Sequence, residues 1–323
     1  MHFAEPVNKH AQRVASILKR FALLPRSFGL TCAESVGLLP SGVRLVYLGD
    51  GESLQYLMKS FEIDEFRRYR EKIPFRRAGK MIKSIIASGA LLCVELNRLL
   101  DPLMKGEGLL TFPWLRQRVY LDSREYRGKR RRIEETYGRK VRKYRYGFRL
   151  VNDVRSVERF HEEFYLPHVT GRYGAACHSR SLDELKGVLR KGFLLQVLCD
   201  NVWISGVVCA ARKERLTAVA FGHLPEERHP LRLGGLSAAY YHLFDYAARH
   251  SFDCVDLLRS RPDAHDGVYC HKQRWGAVAE MDSWPHTAIR LFPPAEMPLP
   301  QSFKRMLVWS GGTFEEAGQV MDR

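Results

Sequence analysis

At 323 residues the chain is long enough for about two domains of ordinary size, each with its own core. With 45% hydrophobic and 27% charged residues it is neither a disordered, a collagen-like nor a disulfide-scaffold sequence. Lys and Arg outnumber Asp and Glu by 52 to 36, a formal charge of +16, so partners are expected among anionic molecules: nucleic acid, anionic lipid, nucleotide cofactors or cell-wall precursors.

Seven scattered cysteines, Cys32, Cys93, Cys177, Cys199, Cys209, Cys254 and Cys270, form no CxxC pair, which argues against a zinc ribbon or a disulfide framework. His265 and His271 match no zinc spacing, and no metal is expected. The first ten residues carry charges and lack the apolar run of a secretory signal, so a cytoplasmic location is expected. The most apolar stretch, 85–100, is broken by Glu95, Asn97 and Arg98 and falls short of the roughly 20 apolar residues a bilayer span needs. Any membrane contact is expected to be peripheral, at the inner face.

In chain order, Val14, Ile17, Leu18, Phe21 and Leu24 recur at helical spacing over 9–24. Residues 42–48 alternate as a strand, Gly49–Gly51 is turn chemistry, 52–61 is helix-compatible, and 90–96 reads as a buried strand. This first α/β block spans 1–123. A helical bridge follows at 124–149, with twelve Lys or Arg against Glu125, Glu134 and Glu135, more than half of the net charge. Such a run reads either as a solvated face or as an anion-contacting arm. Tyr126, Tyr137, Tyr144 and Tyr146 interleave with it and could stack bases or pack an inter-domain seam.

The second block, 150–295, has a helical stripe at Val154, Val157, Phe160, Phe164 and Tyr165 that is expected to stop before Pro167. Ser181 and Glu184 form a capping box for a second helix. Strands at 193–199, 202–211 and 216–221, with Asp200-Asn201 as a tight link, predict an antiparallel meander. Gly234-Gly235 open a helix over 236–250, followed by a strand at 253–258, a short helix at 266–274 and a strand pair at 278–283 and 288–292. Residues 296–323 read as a tail.

This order, with Arg232-Leu233-Gly234-Gly235-Leu236-Ser237 between a strand and a helix, resembles the GNAT acyltransferase superfamily. The six residues approximate the Arg/Gln-x-x-Gly-x-Gly/Ala loop that holds the acyl-CoA pyrophosphate there, with Ser237 replacing the last small residue. Lys272-Gln273-Arg274-Trp275-Gly276, downstream of the strand with Asp256, is similar to the FemAB-like and CelD-like branches. There a glycine usually stands two residues after the strand aspartate, where this chain has Leu258. The resemblance covers about 145–292 and implies an α+β fold: a mixed, mainly antiparallel sheet flanked by helices. The first block would then be a second, degenerate GNAT-like half.

The loop's physical logic is independent of the family. Glycines admit a close ligand, and the first N–H groups of a helix lack intrahelical partners and sit at the positive end of its dipole. Candidate bases are His223, Asp256 and Asp266, with His271 weaker; Arg172, Lys272 and Trp275 are candidate acceptor contacts. The expected activity is direct transfer from acyl-CoA to an amine or hydroxyl of a sugar, peptide or lipid-linked envelope precursor. Two alternatives stand beside it: a FemAB-like peptidyltransferase using aminoacyl-tRNA, and a non-catalytic protein that binds nucleic acid or an anionic surface. The long helical hairpin typical of tRNA-dependent FemAB enzymes is not visible, whereas the basic bridge favours tRNA.

Overall fold

The computed structural model describes residues 31–40, 42–49, 51, 53–98, 101, 108–173, 179–282, 287–294 and 299–323. The helix expected over 9–24 and Cys177 lie outside them. The chain builds β1 (Thr31–Leu38), β2 (Arg44–Gly49), β3 (Arg67–Pro74), β4 (Leu91–Asn97) and β5 (Leu109–Thr111). It continues through β6 (Leu115–Tyr120), β7 (Gly147–Val151), β8 (Gly192–Cys199), β9 (Val202–Arg212), β10 (Arg215–His223), β11 (Cys254–Ser260) and β12 (Val278–Met281). It ends with β13 (Thr287–Phe292), β14 (Leu307–Ser310) and β15 (Thr313–Glu316).

Two compact units result: Met1–Leu115 with Arg261–Asp266 and Met281–Arg323, and Arg116–Ser260 with Gly267–Glu280. The first carries an eight-stranded sheet ordered β15-β14-β5-β13-β4-β2-β1-β3, antiparallel in its recorded pairings except for β2 beside β4. Alternate residues of β2 bury opposite faces: Leu45 and Tyr47 pack with Leu57, Ile289 and Phe303, and Val46 and Leu48 with Ile82 and Ile85. Arg290 forks onto Asp101 at 2.6 and 2.9 Å, which compensates a nearly buried guanidinium. Residues 296–323, expected as a tail, supply β14 and β15 of this sheet. The strand pair expected at 278–283 and 288–292 divides between the units, with β12 in one sheet and β13 in the other.

The second unit holds a seven-stranded sheet ordered β12-β6-β11-β10-β9-β8-β7, and both units are mixed α+β. The expected meander is present, β8 to β9 to β10, antiparallel throughout. Asp200 and Asn201 both have positive φ, 46° and 64°, as a primed two-residue hairpin requires. Ser181 and Glu184 complete the capping box at the start of the Leu182–Leu189 helix.

Two expectations are corrected by local geometry. The helix from Val154 does not stop at Pro167: a wide π turn at His161–Tyr165 carries it on through Leu166–Tyr173, accommodating the proline ring and its missing donor. The basic segment is no separate bridge. Its helices, Arg124–Ile133 and Arg139–Lys143, are joined by a π turn at Glu134–Gly138, and with β7 they belong to the second unit. Its tyrosines face that unit's own core: Tyr137 stacks on Trp275 at 4.4 Å, Tyr126 meets Phe244 at 5.8 Å, and Tyr144 meets Tyr146 at 5.6 Å.

Candidate functional site

The second sheet opens between β10 and β11. β10 and β11 pair in parallel at Arg215–Cys254, Leu216–Val255 and Thr217–Asp256, and the pairing ends there although the strands run on to His223 and Ser260. Two features part them. The register of β10 against β9 shifts between Ala218 and Ala220, leaving Val219 as an extra, bulged residue that bends the strand. In β11, Leu258 has φ 61°, and its N–H donates to Asp256 Oδ1 at 2.9 Å. The sequence resemblance leads one to expect glycine here, and the backbone is left-handed at this position, which costs a residue with a Cβ roughly 1 kcal/mol or more. Beyond the last paired residues, the facing edges of β10 and β11 have no ladder partner across the gap.

β10 leads through a short 3₁₀ turn, Leu231–Leu233, to the helix Gly235–Arg249. Gly234 is its N-cap, with φ 89° and no side-chain cap. Space is tight at Gly235: a Cβ there would lie 3.0 Å from His223 Nε2, 3.0 Å from Ile204 and 3.2 Å from His229, so these neighbours would have to give by a few tenths of an ångström. The first turn therefore presents uncapped amides at the positive end of a fifteen-residue helix, bare of side chains at its first two positions. Lys140 of the basic segment crosses this entrance and donates from Nζ to the Arg232 carbonyl at 2.9 Å. Arg232 is exposed, Leu233, Leu236 and Ser237 are half-buried, and Gly234 and Gly235 are buried.

Beneath the loop lies a buried chain of polar side chains. His223 Nδ1 donates to the Leu224 carbonyl, His223 Nε2 lies 3.3 Å from His229 Nδ1, and His229 Nε2 lies 3.3 Å from the Tyr146 hydroxyl. That hydroxyl is also 3.3 Å from the Leu233 carbonyl. Burial pushes the His223 imidazole down to about 4 and lowers His229 as well. His223, 1% exposed, is thus a neutral support under the loop rather than a base open to substrate.

The other candidates do not gather here. Asp256 is fully buried and holds Arg116 and Arg118, whose Nε atoms lie 2.8 and 3.3 Å from its Oδ2. A carboxylate so occupied ties β6 to β11. Asp266 belongs to the first unit. The side chain of Arg172 is outside the described residues. Lys272 is buried and donates to the Arg259 carbonyl at 2.7 Å, a tie from its helix to β11. Trp275 is fully buried in an aromatic column with Tyr137, Tyr240 and Phe244, and its Nε1 donates to His271 Nε2 at 3.4 Å. Among the described residues, no cluster of three His, Cys, Asp or Glu could hold a metal ion, and no helix is long and apolar enough to cross a membrane.

Sequence reasoning assigned no place at the loop to Lys140, Tyr146 or His229. Lys140 is one cation among twelve, Tyr146 one of four interleaved tyrosines, and His229 sits in a polar loop before Pro230; no spacing joins them.

No protein-family model matches the chain, and no curated protein does. Among solved structures, L-PGS from Bacillus licheniformis aligns at 11% identity over 88% of this chain and 93% of its own, with a TM-score of 0.41. FemX aligns at 12% over 81% and 88%, TM-score 0.41. A GCN5-related N-acetyltransferase-like protein from Streptococcus suis aligns at 13% over 86% and 99%, TM-score 0.33. The second unit itself is a meander whose last strand leaves a splayed parallel neighbour and turns through glycines into a helix, the element order on which its sequence resembles the GNAT acyltransferases.

Proposed function

We propose that the second unit is an acyltransferase whose donor is an acyl thioester carried on a diphosphate, with acyl-CoA as the first choice. The observation that carries this reading is the splay of β10 from β11 beside the uncapped start of the Gly235–Arg249 helix. A diphosphate at that start meets free amides, the helix dipole, the second and third protons of the Lys140 ammonium, and Arg232. An amide-bearing tail running from it can pair with the open edges of the strands, as an added strand does. The thioester carbonyl then lies along β10, where main-chain N–H groups without a strand partner can hold the developing oxyanion.

The chemistry is direct. An amine or hydroxyl of a sugar, peptide or lipid-linked precursor adds to the thioester carbon, the carbon–sulfur bond breaks, and the departing thiolate takes the proton that the nucleophile gives up. The chain's contribution is alignment of the two reactants and fixed dipoles at the carbonyl. A cytoplasmic site, peripheral to anionic membrane where the acceptor is lipid-linked, fits a CoA donor.

A second reading keeps the fold and changes the donor to aminoacyl-tRNA. It is favoured by the basic helices, where Arg124, Arg130, Arg132, Arg139 and Lys143 have no ion-pair partner among the described residues and Lys140 reaches the loop. Thermal stabilisation by CoA and by charged tRNA, measured side by side on the full chain, separates the two. Stabilisation by CoA at concentrations near its Kd supports the first reading, and stabilisation by charged tRNA alone supports the second. With neither, the transferase reading falls and an anion-binding scaffold remains.

A further inference from the structure

The chain of groups under the loop has a proton count that does not close. A carbonyl only accepts, so the bond from His223 to Leu224 fixes a proton on His223 Nδ1 and leaves Nε2 as an acceptor. His229 must then donate from Nδ1 to His223 Nε2, which leaves His229 Nε2 as an acceptor too. Tyr146 faces two acceptors at 3.3 Å, His229 Nε2 and the Leu233 carbonyl, with one hydroxyl proton. With both histidines neutral, one of these buried contacts is unmade, at a cost in free energy. One further proton on His229 Nε2 satisfies everything: the imidazolium donates to the Tyr146 oxygen, and the Tyr146 hydroxyl donates to Leu233.

This network touches the donor loop directly. Leu233 immediately precedes Gly234, and the two imidazoles bound the space at Gly235. A diphosphate at the helix start adds negative charge beside His229 and favours its imidazolium. We propose, on the donor-site reading above, that His229 and Tyr146 are positioning residues of the donor loop: diphosphate binding takes up one proton at His229 Nε2, and Tyr146 thereby locks the Leu233 carbonyl. The groups facing the pair are His223, His168 and Glu226 on the histidine side, and Tyr144 and Cys199 on the tyrosine side, with Lys140 and Arg232 at the loop. Burial resists the added proton, so the apo network is neutral near pH 7 and the ligand supplies the difference.

The test is calorimetric titration of dephospho-CoA, which keeps the diphosphate but lacks the 3′-phosphate that itself titrates near pH 6. Buffers of different ionisation enthalpy count the protons. The wild-type chain is expected to take up close to one proton per ligand, with affinity rising by up to about tenfold per pH unit as pH falls from 8 towards 6. His229→Asn should abolish the uptake. Tyr146→Phe, which removes the acceptor for the imidazolium without changing shape, should remove most of it, and serves if His229→Asn does not fold. Binding by wild type without proton uptake, or uptake unchanged in Tyr146→Phe, overturns the proposal and leaves the donor site standing. No binding of dephospho-CoA or CoA by the folded wild type at any pH overturns the donor-site reading, and this proposal with it.

Discussion

Lys140 lies across the backbone of Gly234: a Cβ at that glycine would stand 2.9 Å from Lys140 Cδ, and the ammonium is bonded to the Arg232 carbonyl at 2.9 Å. One lysine of the basic segment is thereby part of the loop while its neighbours face solvent. Lys140→Ala is expected to weaken CoA binding about five- to tenfold, the loss of one charge-assisted contact. Joint replacement of Arg124, Arg130, Arg132 and Arg139 by Gln should leave CoA affinity within about twofold, because exposed cations act weakly across screening salt. Direct titration of both variants checks the contrast.

Gly234→Ala is expected to lower stability by about 1–2 kcal/mol, because the residue needs φ 89° and its Cβ meets Lys140. Adding Lys140→Ala removes the clash but not the dihedral strain, so the double variant should recover only part of the loss. Denaturant unfolding of the two single variants and the double variant measures this directly.

At Leu258 the sign is different. Its φ of 61° already carries strain, so Leu258→Gly should change stability by less than about 1 kcal/mol, with the lost side-chain contacts offset by relief of the backbone. Leu257→Ala, one residue earlier at 3% exposure, should cost about 2–4 kcal/mol. Similar losses at both positions would contradict the left-handed assignment.

Asp256→Asn leaves Arg116 and Arg118, each about one-fifth exposed, without their shared carboxylate. A loss of about 2–3 kcal/mol is expected, discounted for the partial exposure of the arginines. In a transferase assay with saturating donor, kcat per folded molecule should fall less than about tenfold; a loss of several hundredfold would return Asp256 to the reaction.

Stability should also depend on pH through the buried histidines. His223, His229 and His242 have imidazoles lowered by burial, His223 to about 4, so the unfolded chain binds protons that the folded chain refuses. Their contribution is fully present above the unfolded value near 6.5 and is lost as pH falls from there towards 4. For His223 the loss amounts to about 2–3 kcal/mol. Unfolding free energies across that window should flatten in His223→Gln relative to wild type.

Much of the second unit was legible because its signals are local. Asp200-Asn201 can make only a tight primed turn, Ser181 and Glu184 satisfy each other's helix end, and the meander follows from three apolar runs with short links. β6 is not among the elements read from the sequence, although Leu115, Gln117 and Val119 turn inward with period two; the alternating Arg116 and Arg118 hold Asp256, a partner about 140 residues away that no local pattern shows. The glycine loop was legible as a glycine pair between a strand and a helix that resembles a pyrophosphate loop. Its supports were not: His223 was read only as a candidate base, and it comes together with Lys140, Tyr146 and His229 at the loop through tertiary packing that nothing in their spacing records. The same limit misplaced Trp275 and Lys272, whose residue types suit a channel or an anion but whose surroundings are core and backbone.

The most direct measurement is amide chemical-shift mapping of the isotopically labelled full chain on addition of CoA. The largest shifts are expected at Gly234, Gly235, Leu236 and Ser237, with a second set along β10 from Ala218 to His223. Shifts confined to the Arg124–Lys143 segment, or none at saturating CoA, would contradict a diphosphate site at the start of the Gly235–Arg249 helix.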